Sequence, residues 1–154
     1  EYASQSRPCA HALSPGAQAD MGADCKYDGG NNRLPEETIE KLTEKYELIP
    51  VCPECYGGLT TPRAPSERTG DKVVSKTGAD VTEQFNKGAN TALYLAELFG
   101  ARNAILKANS PSCGFGKIYD GTFSGTLVDG NGVFASMLRA QGIEIITEKE
   151  KIKW

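Results

Sequence analysis

Long apolar stretches are absent from this sequence of 154 residues. No run approaches the roughly 20 apolar residues that a helix needs to cross a bilayer. The opening residues, Glu1 to Ser6, are polar and lack the apolar core of a signal peptide. We therefore expect a cytoplasmic protein without a membrane anchor.

Clustered positive charge is also missing, since the net charge is −3 and no dense run of Lys and Arg occurs. Proteins that bind nucleic acid generally carry a basic patch, because they must neutralise its phosphate groups. We expect a small-molecule partner, with nucleic acid as the less favoured alternative.

Histidine is nearly absent, and the single His11 lies in an irregular stretch where we expect a surface residue. Cysteine is present five times, an odd number that does not suit a framework of disulfides. Because the cytosol keeps thiols reduced, these cysteines are core residues, catalytic groups or metal ligands.

Strands and helices are predicted to alternate, which favours an α/β fold with a parallel sheet. We expect one domain over residues 1–154, with a small, mainly parallel, Rossmann-like sheet flanked by helices. Residues 1–24 are predicted to be irregular, and a short hairpin is expected near 72–75. The predicted helices are 35–46, 81–99 with Asp80 as its cap, and 133–141, and the predicted strands are 48–52, 103–108 and 143–147.

Cys52 and Cys113 each follow a predicted strand, in loops rich in Pro and Gly. Ligands of open α/β sheets bind outside the carboxyl ends of the strands, and such loops aim functional groups. Taken singly, each cysteine would be read as a small buried apolar residue. Their shared position instead predicts that both thiols reach one rim of the sheet.

Cys52-Pro53-Glu54-Cys55 has the spacing of a redox dithiol, a motif that usually opens a helix. The following Tyr56-Gly57-Gly58 is a poor helix start, and a structural zinc site would need four ligands. Iron–sulfur clusters take thiolates, and Cys–Pro junctions occur in their binding segments. The pattern therefore favours an iron–sulfur centre.

Glu54 and Ser110 are the polar side chains nearest to these cysteines in the sequence. Glu54 is either a general acid or base or a solvated loop carboxylate. Ser110 is either a positioned hydroxyl or the cap of a turn before Pro111. Two Tyr-Asp-Gly segments, at Tyr27 and Tyr119, suit tight turns or an aromatic wall for a flat ligand.

Six ordered segments resemble those of one bacterial family, whose characterised members are thiouracil desulfidases of the TudS type. The resemblance runs from about Cys25 to the C-terminus. The segments are Cys25-Lys26-Tyr27-Asp28-Gly29, Pro50-Val51-Cys52-Pro53-Glu54, Gly57-Gly58-Leu59 with Pro62-Arg63, Gly78-Ala79-Asp80-Val81-Thr82, Ser110-Pro111-Ser112-Cys113-Gly114 and Tyr119-Asp120-Gly121-Thr122-Phe123-Ser124.

This resemblance implies a 4Fe–4S cluster held by three cysteines, with one iron left open. It implies a non-redox reaction in which the C=S of a thiopyrimidine becomes C=O and sulfide is released. Carried over by motif, Cys52 and Cys113 are cluster ligands, and Glu54 and Ser110 are catalytic. The substrate is then a free thiobase, with thiolated tRNA as the alternative.

The sequence departs from the family pattern at the third cysteine ligand of the cluster. In the family it lies in a Ser-Ala-Cys-Leu-like segment just after an apolar N-terminal strand, and an ungapped alignment puts Ala19 there. An insertion of about ten residues would let Cys9 take the role. We prefer Cys9, because the cysteine of the Cys-x-Tyr-Asp-Gly motif is not among the family's ligands. Cys25 and Cys55 are the other candidates.

Two functions of other classes compete with the desulfidase. One is a non-catalytic carrier of metal or sulfide that uses the same cysteines. The other is a thiol–disulfide oxidoreductase that uses Cys52 and Cys55.

Overall fold

The computed structural model describes residues 10–15, 24–31 and 33–151, the first of these ranges by its backbone alone. The elements in chain order are β1 (Ala10–Pro15), α1 (Glu36–Lys45), β2 (Tyr46–Val51), α2 (Pro53–Tyr56), β3 (Ser66–Thr69), β4 (Lys72–Ser75), α3 (Thr82–Leu98), β5 (Ala101–Leu106), β6 (Lys117–Tyr119), β7 (Leu127–Asp129), α4 (Val133–Ala140) and β8 (Glu144–Thr147).

A four-stranded sheet in the order β2-β1-β5-β8 forms the centre of the described residues. Each neighbouring pair in it is parallel. The predicted α/β class with a parallel sheet is therefore confirmed. The carboxyl ends of the four strands meet at one edge, which we call the carboxyl edge.

Helices cover both faces of this sheet. Ala104 and Leu106 of β5 pack into a core shared with α3 and α4, whereas Ile105 packs with Leu42 of α1 on the opposite face. Successive strand residues point to opposite faces, so a sheet buried on both sides needs continuous apolar runs. The carboxyl half of β5, Ala104-Ile105-Leu106, is buried and has that character, whereas Arg102 and Asn103 before it are polar.

Local sequence explains where the helices begin. Glu36 and Glu37 lie in the first turn of α1 and Lys45 in its last turn, which complements the helix dipole. The backbone N–H of Thr82 donates to the Asp80 carboxylate at the start of α3. The predicted cap is Asp80, whereas the structure has Val81 at the N-cap, so α3 begins one residue later than expected.

Two antiparallel hairpins lie outside the main sheet. The β3–β4 pair turns through Gly70 and Asp71, and Gly70 has a positive φ of 59° that glycine adopts without strain. The hairpin expected near 72–75 is therefore confirmed. The β6–β7 pair falls in a glycine-rich stretch for which no strand is predicted.

Two sequence-based predictions are wrong. Residues 10–15 were expected to be irregular, yet they form β1, the strand between β2 and β5. The segment is only weakly apolar, so its own sequence does not predict a strand. It forms one because the neighbouring strands on both sides supply backbone hydrogen bonds. Tyr56 was expected to lie outside any helix, yet it closes the short helix α2. The remaining expected irregular positions up to residue 23 lie outside the described residues.

Across the part of the chain that the structure describes, no helix has the length and apolar character needed to span a membrane.

Candidate active site

A cavity of about 540 Å³ opens at the carboxyl edge, within the usual size range of small-molecule sites. It contains thiols, carboxylates, cationic groups and aromatic rings. Its lining includes Cys25, Cys52, Cys113, Glu54, Arg63, Glu67, Ser110, Tyr27, Tyr119 and Phe123.

Cys52 enters the cavity at the junction of β2 and α2. It follows Val51 directly and caps α2, with Pro53 at the first helical position, where proline is well tolerated. Its side chain is 8% exposed. A Cβ on Gly88 would lie 1.7 Å from the Pro53 carbonyl oxygen, so only glycine lets α3 approach this junction so closely.

Cys113 reaches the same cavity from the loop after β5 and is 5% exposed. The Ser110 hydroxyl oxygen accepts hydrogen bonds from the backbone N–H groups of Ser112 and Cys113, both at 3.1 Å. A hydroxyl oxygen that accepts two bonds still has its own proton to donate. Ser110 therefore shapes the loop that carries Cys113 and presents an O–H group beside it.

The Glu54 carboxylate is held by Arg63. Arg63 Nε and Nη2 donate to Glu54 Oε2 at 2.9 and 2.6 Å, and the two side chains are 10% and 19% exposed. Both contacts fall on Oε2, so this pair leaves Oε1 unengaged by the guanidinium. Glu54 is thus a fixed carboxylate at the cavity and not a solvated loop residue.

Arg63 also ties together the segments around the site. Its Nη2 donates to the Cys25 carbonyl oxygen at 3.1 Å, and its Nη1 donates to the Thr60 carbonyl and the Thr61 hydroxyl. The backbone N–H of Arg63 donates to the Tyr27 carbonyl at 2.7 Å. A single guanidinium therefore connects the Cys25 loop, α2 and the 60–63 loop.

The thiols of Cys25 and Cys52 line the same cavity, and their acidities diverge. Hydrogen bonding with Cys52 lowers the pKa of Cys25. The same interaction, followed by burial, raises the pKa of Cys52. Burial is the main cause that raises the pKa of Cys55. Proton removal therefore begins at Cys25 in this thiol group.

Glu67 supports the opposite wall of the cavity. This residue is 9% exposed, and its Oε2 accepts hydrogen bonds from the backbone N–H groups of Gly121 and Phe123 at 2.8 and 2.9 Å. Phe123 has a positive φ of 57°, an uncommon conformation for a bulky residue. The two bonds hold the β6–β7 loop so that Tyr119 and Phe123 line the cavity.

The residues predicted from sequence now have positions. Cys52, Cys113, Glu54 and Ser110 line this one cavity, as do both Tyr-Asp-Gly segments through Tyr27 and Tyr119. Cys9 lies outside the described residues, so its role stays a prediction. His11 lies in β1, of which only the backbone is described.

No group of three His, Cys, Asp or Glu side chains within the described ranges converges tightly enough for a single metal ion. A four-iron cluster is different, because its thiolates bind separate iron atoms. The thiols of Cys25, Cys52 and Cys113 around one cavity are the donor type that such a cluster takes. The donor set therefore fits an iron–sulfur cluster better than a single ion.

Arg63 and Glu67 are site residues that the sequence reasoning did not assign. Arg63 appeared only as part of a shared segment, and Glu67 lies in the β3 hairpin far from any cysteine in sequence. A buried charge is rare unless it is paired, but the burial of Glu67 is known only from the structure. No local sequence signal therefore marks either residue.

Comparisons with known proteins agree with this arrangement. The family model described as 2-thiouracil desulfurase matches residues 20–150. An uncharacterised protein, YbbK of Bacillus subtilis (strain 168), is 41% identical over 139 residues, which cover 84% of this chain and 91% of YbbK. A solved structure described as the 4Fe–4S-dependent thiouracil desulfidase TudS is similar with a TM-score of 0.82 and 38% identity, covering 91% of each chain. This chain belongs to the 2-thiouracil desulfurase family.

Proposed function

We propose that this protein is a 4Fe–4S-dependent desulfidase that converts the C=S of a thiopyrimidine, of the 2-thiouracil or 4-thiouracil type, to C=O. Water supplies the oxygen and sulfide leaves, so the reaction exchanges no electrons with a redox partner. The observation that carries the proposal is the single cavity shared by Cys52, Cys113, Glu54 and Ser110. TudS, which is similar over most of the chain, is described as dependent on such a cluster.

Cys52 and Cys113 are proposed as cluster ligands. Both are buried thiols whose backbones are held in place, Cys52 by the packing of α2 on α3 and Cys113 by the Ser110 loop. When bound, a cluster with one iron free of protein ligands supplies a Lewis acid for the soft sulfur of the thiocarbonyl. Three protein thiolates are required, since a fourth would occupy that iron.

Glu54 is proposed as the general base that takes a proton from the attacking water. Arg63 holds Oε2, which leaves Oε1 for the water. A base must lie within hydrogen-bond reach of the proton that it removes, and the guanidinium fixes the carboxylate for this purpose.

Ser110 is proposed as the proton donor toward the ring or the departing sulfur. Its oxygen already accepts two backbone N–H bonds, so its own proton is left for the substrate. Tyr27, Tyr119 and Phe123 would bound the flat ring of the thiobase. A cytoplasmic location is proposed too, because reduced thiols suit that compartment.

The test is anaerobic purification and reconstitution, followed by assays of 2-thiouracil, 4-thiouracil and thiolated tRNA. We expect a brown protein with about four irons per chain and equal amounts of sulfide and oxygenated base. Glu54→Gln should keep the iron and lose turnover, whereas Glu97→Gln, on the exposed side of α3, should keep both.

The same experiment decides among the competing functions. Iron without sulfide release from any of the three substrates would overturn the desulfidase in favour of a carrier. A colourless protein that cycles one disulfide between Cys52 and Cys55 would favour the oxidoreductase. Full turnover by Glu54→Gln would remove Glu54 from the mechanism.

A further inference from the structure

We propose that Cys25 supplies the third thiolate of the cluster, together with Cys52 and Cys113. This inference rests on the proposed function, because it assumes that the cavity holds a four-iron cluster. It gives Cys25 a role that the family resemblance does not, and it replaces Cys9, which is the third ligand predicted from the sequence.

The position of Cys25 is the first argument. Cys25 lines the cavity that also contains Cys52 and Cys113, and its thiol interacts with that of Cys52. Its carbonyl oxygen is bound by Arg63, the same guanidinium that holds Glu54. The backbone N–H of Arg63 binds the neighbouring Tyr27 carbonyl. The Cys25 loop is therefore fastened to the rest of the site on two sides.

The direction of β1 is the second argument. Ala10 pairs with Tyr46 and Pro15 with Val51, so the strand runs toward the carboxyl edge. Its amino end lies six strand residues before that edge, a distance of roughly 20 Å. This register favours a ligand that follows β1 in the chain over one that precedes it.

The sequence after β1 is the third argument. Residues 16–24 contain no cysteine, so Cys25 is the first thiol that follows the strand. The resemblance puts the family's third ligand just after the N-terminal strand, where this chain has none. Cys25 is the thiol that the chain can bring to the cavity from that side.

Cys55 is the remaining candidate, and its spacing from Cys52 does not exclude it, since iron–sulfur proteins use Cys-x-x-Cys pairs. The direction of the Cys55 side chain argues against Cys55 as the third ligand. The Cys55 thiol also interacts with Cys52, but its sulfur lies 4.0 Å from the Thr61 hydroxyl, and Cys55 is not among the described residues that line the cavity.

Cluster binding requires a small movement at Cys25. The Cys25 and Cys52 thiols now interact with each other, whereas cluster thiolates bind separate irons. Cys52 is buried at the start of α2 and packed against α3, while Cys25 is half-buried in a loop. We therefore expect the Cys25 side chain to turn away from Cys52 as the cluster binds.

The test uses the variants Cys25→Ser, Cys9→Ser and Cys55→Ser, each reconstituted anaerobically next to the wild-type protein. Iron and sulfide are counted per chain, and the visible absorption and the EPR spectrum of the reduced cluster are recorded. Cys25→Ser should lose most of its iron and its cluster spectrum. Cys9→Ser and Cys55→Ser should keep the iron content and spectrum of the wild type.

A second measurement covers the case in which Cys25→Ser fails to fold. The wild-type protein is alkylated with iodoacetamide before and after removal of iron, and the labelled cysteines are identified by mass spectrometry. Cys25 should be protected only while the cluster is present, whereas Cys9 and Cys55 should be labelled equally in both states.

Two results overturn the inference while the proposed function stands. One is loss of iron in Cys9→Ser or Cys55→Ser with normal iron in Cys25→Ser. The other is equal labelling of Cys25 with and without the cluster in an active enzyme. A wild-type protein that takes up no cluster would instead overturn the proposed function itself, and with it the inference.

Discussion

Replacement of Arg63 by Gln should destabilise the protein far more than an ordinary loss of a surface charge. Arg63 donates to Glu54, Cys25, Thr60 and Thr61. Gln is shorter and uncharged, so it cannot reproduce the guanidinium fork. The variant therefore leaves the Glu54 carboxylate without its cation and frees two backbone carbonyl groups.

The magnitude follows from the burial of the pair. Removal of one partner of a buried ion pair costs about 3–5 kcal/mol, because the other charge stays desolvated. The Arg63 and Glu54 side chains are 10% and 19% exposed, so water reaches them to a small extent. We therefore expect the lower end, a loss of about 3 kcal/mol in the free energy of unfolding.

The assay is urea unfolding of the reduced, cluster-free protein followed by far-UV circular dichroism, with linear extrapolation to water. The matched control is Arg33→Gln. The Arg33 pair with Glu36 is 54% and 62% exposed, and such pairs contribute less than about 1 kcal/mol. In the double variant Glu54→Gln with Arg63→Gln, the loss should be smaller than the sum of the two single losses.

One result would refute this reasoning. If Arg63→Gln and Arg33→Gln lowered the free energy of unfolding by the same amount, within about 0.5 kcal/mol, the buried pair would contribute nothing special. Arg63 would then contribute no more to stability than a surface residue does. The ion pair with Arg63 would no longer explain how the Glu54 carboxylate is fixed.

Three further predictions concern packing, the cavity wall and thiol reactivity. Gly88→Ala should destabilise the protein by about 1–3 kcal/mol or more through overpacking against α2, measured by the same urea assay, whereas Asn90→Ala on the exposed side of α3 should be nearly neutral. Glu67→Ala should raise the rate of amide hydrogen exchange in the β6–β7 loop. Glu67→Gln keeps an acceptor oxygen and should raise this rate less. Unchanged exchange rates in both variants would contradict the role of the carboxylate. In the cluster-free protein at neutral pH, iodoacetamide should alkylate Cys25 before Cys52, because the pKa is lowered at the first and raised at the second and the thiolate is the nucleophile. Unfolding in urea should make the alkylation rates of Cys25 and Cys52 equal. Equal alkylation rates in the folded protein as well would contradict this order.

Much of the fold could be predicted from the sequence because its signals are local. The apolar stripe of α3, through Phe85, Ala89, Ala92 and Ala96, repeats at helical spacing and depends on no distant contact. The short apolar stretches within β2, β5 and β8, namely Leu48-Ile49, Ala104-Ile105-Leu106 and Ile145-Ile146, are similarly local signals. The rule that strand ends carry ligands was enough to predict that Cys52 and Cys113 share a rim.

The tertiary structure decided the features whose stability comes from distant partners. β1 has little local signal and is a strand because β2 and β5 lie on either side of it. The Arg63–Glu54 pair joins residues nine positions apart, and Glu67 binds a loop 54 and 56 positions away. The interaction between Cys25 and Cys52 likewise joins residues that are far apart in the sequence. Short-range sequence patterns show the periodicity of helices and strands. Hydrogen bonds and ion pairs between distant segments form only when the chain packs. These long-range interactions hold the candidate site in its shape.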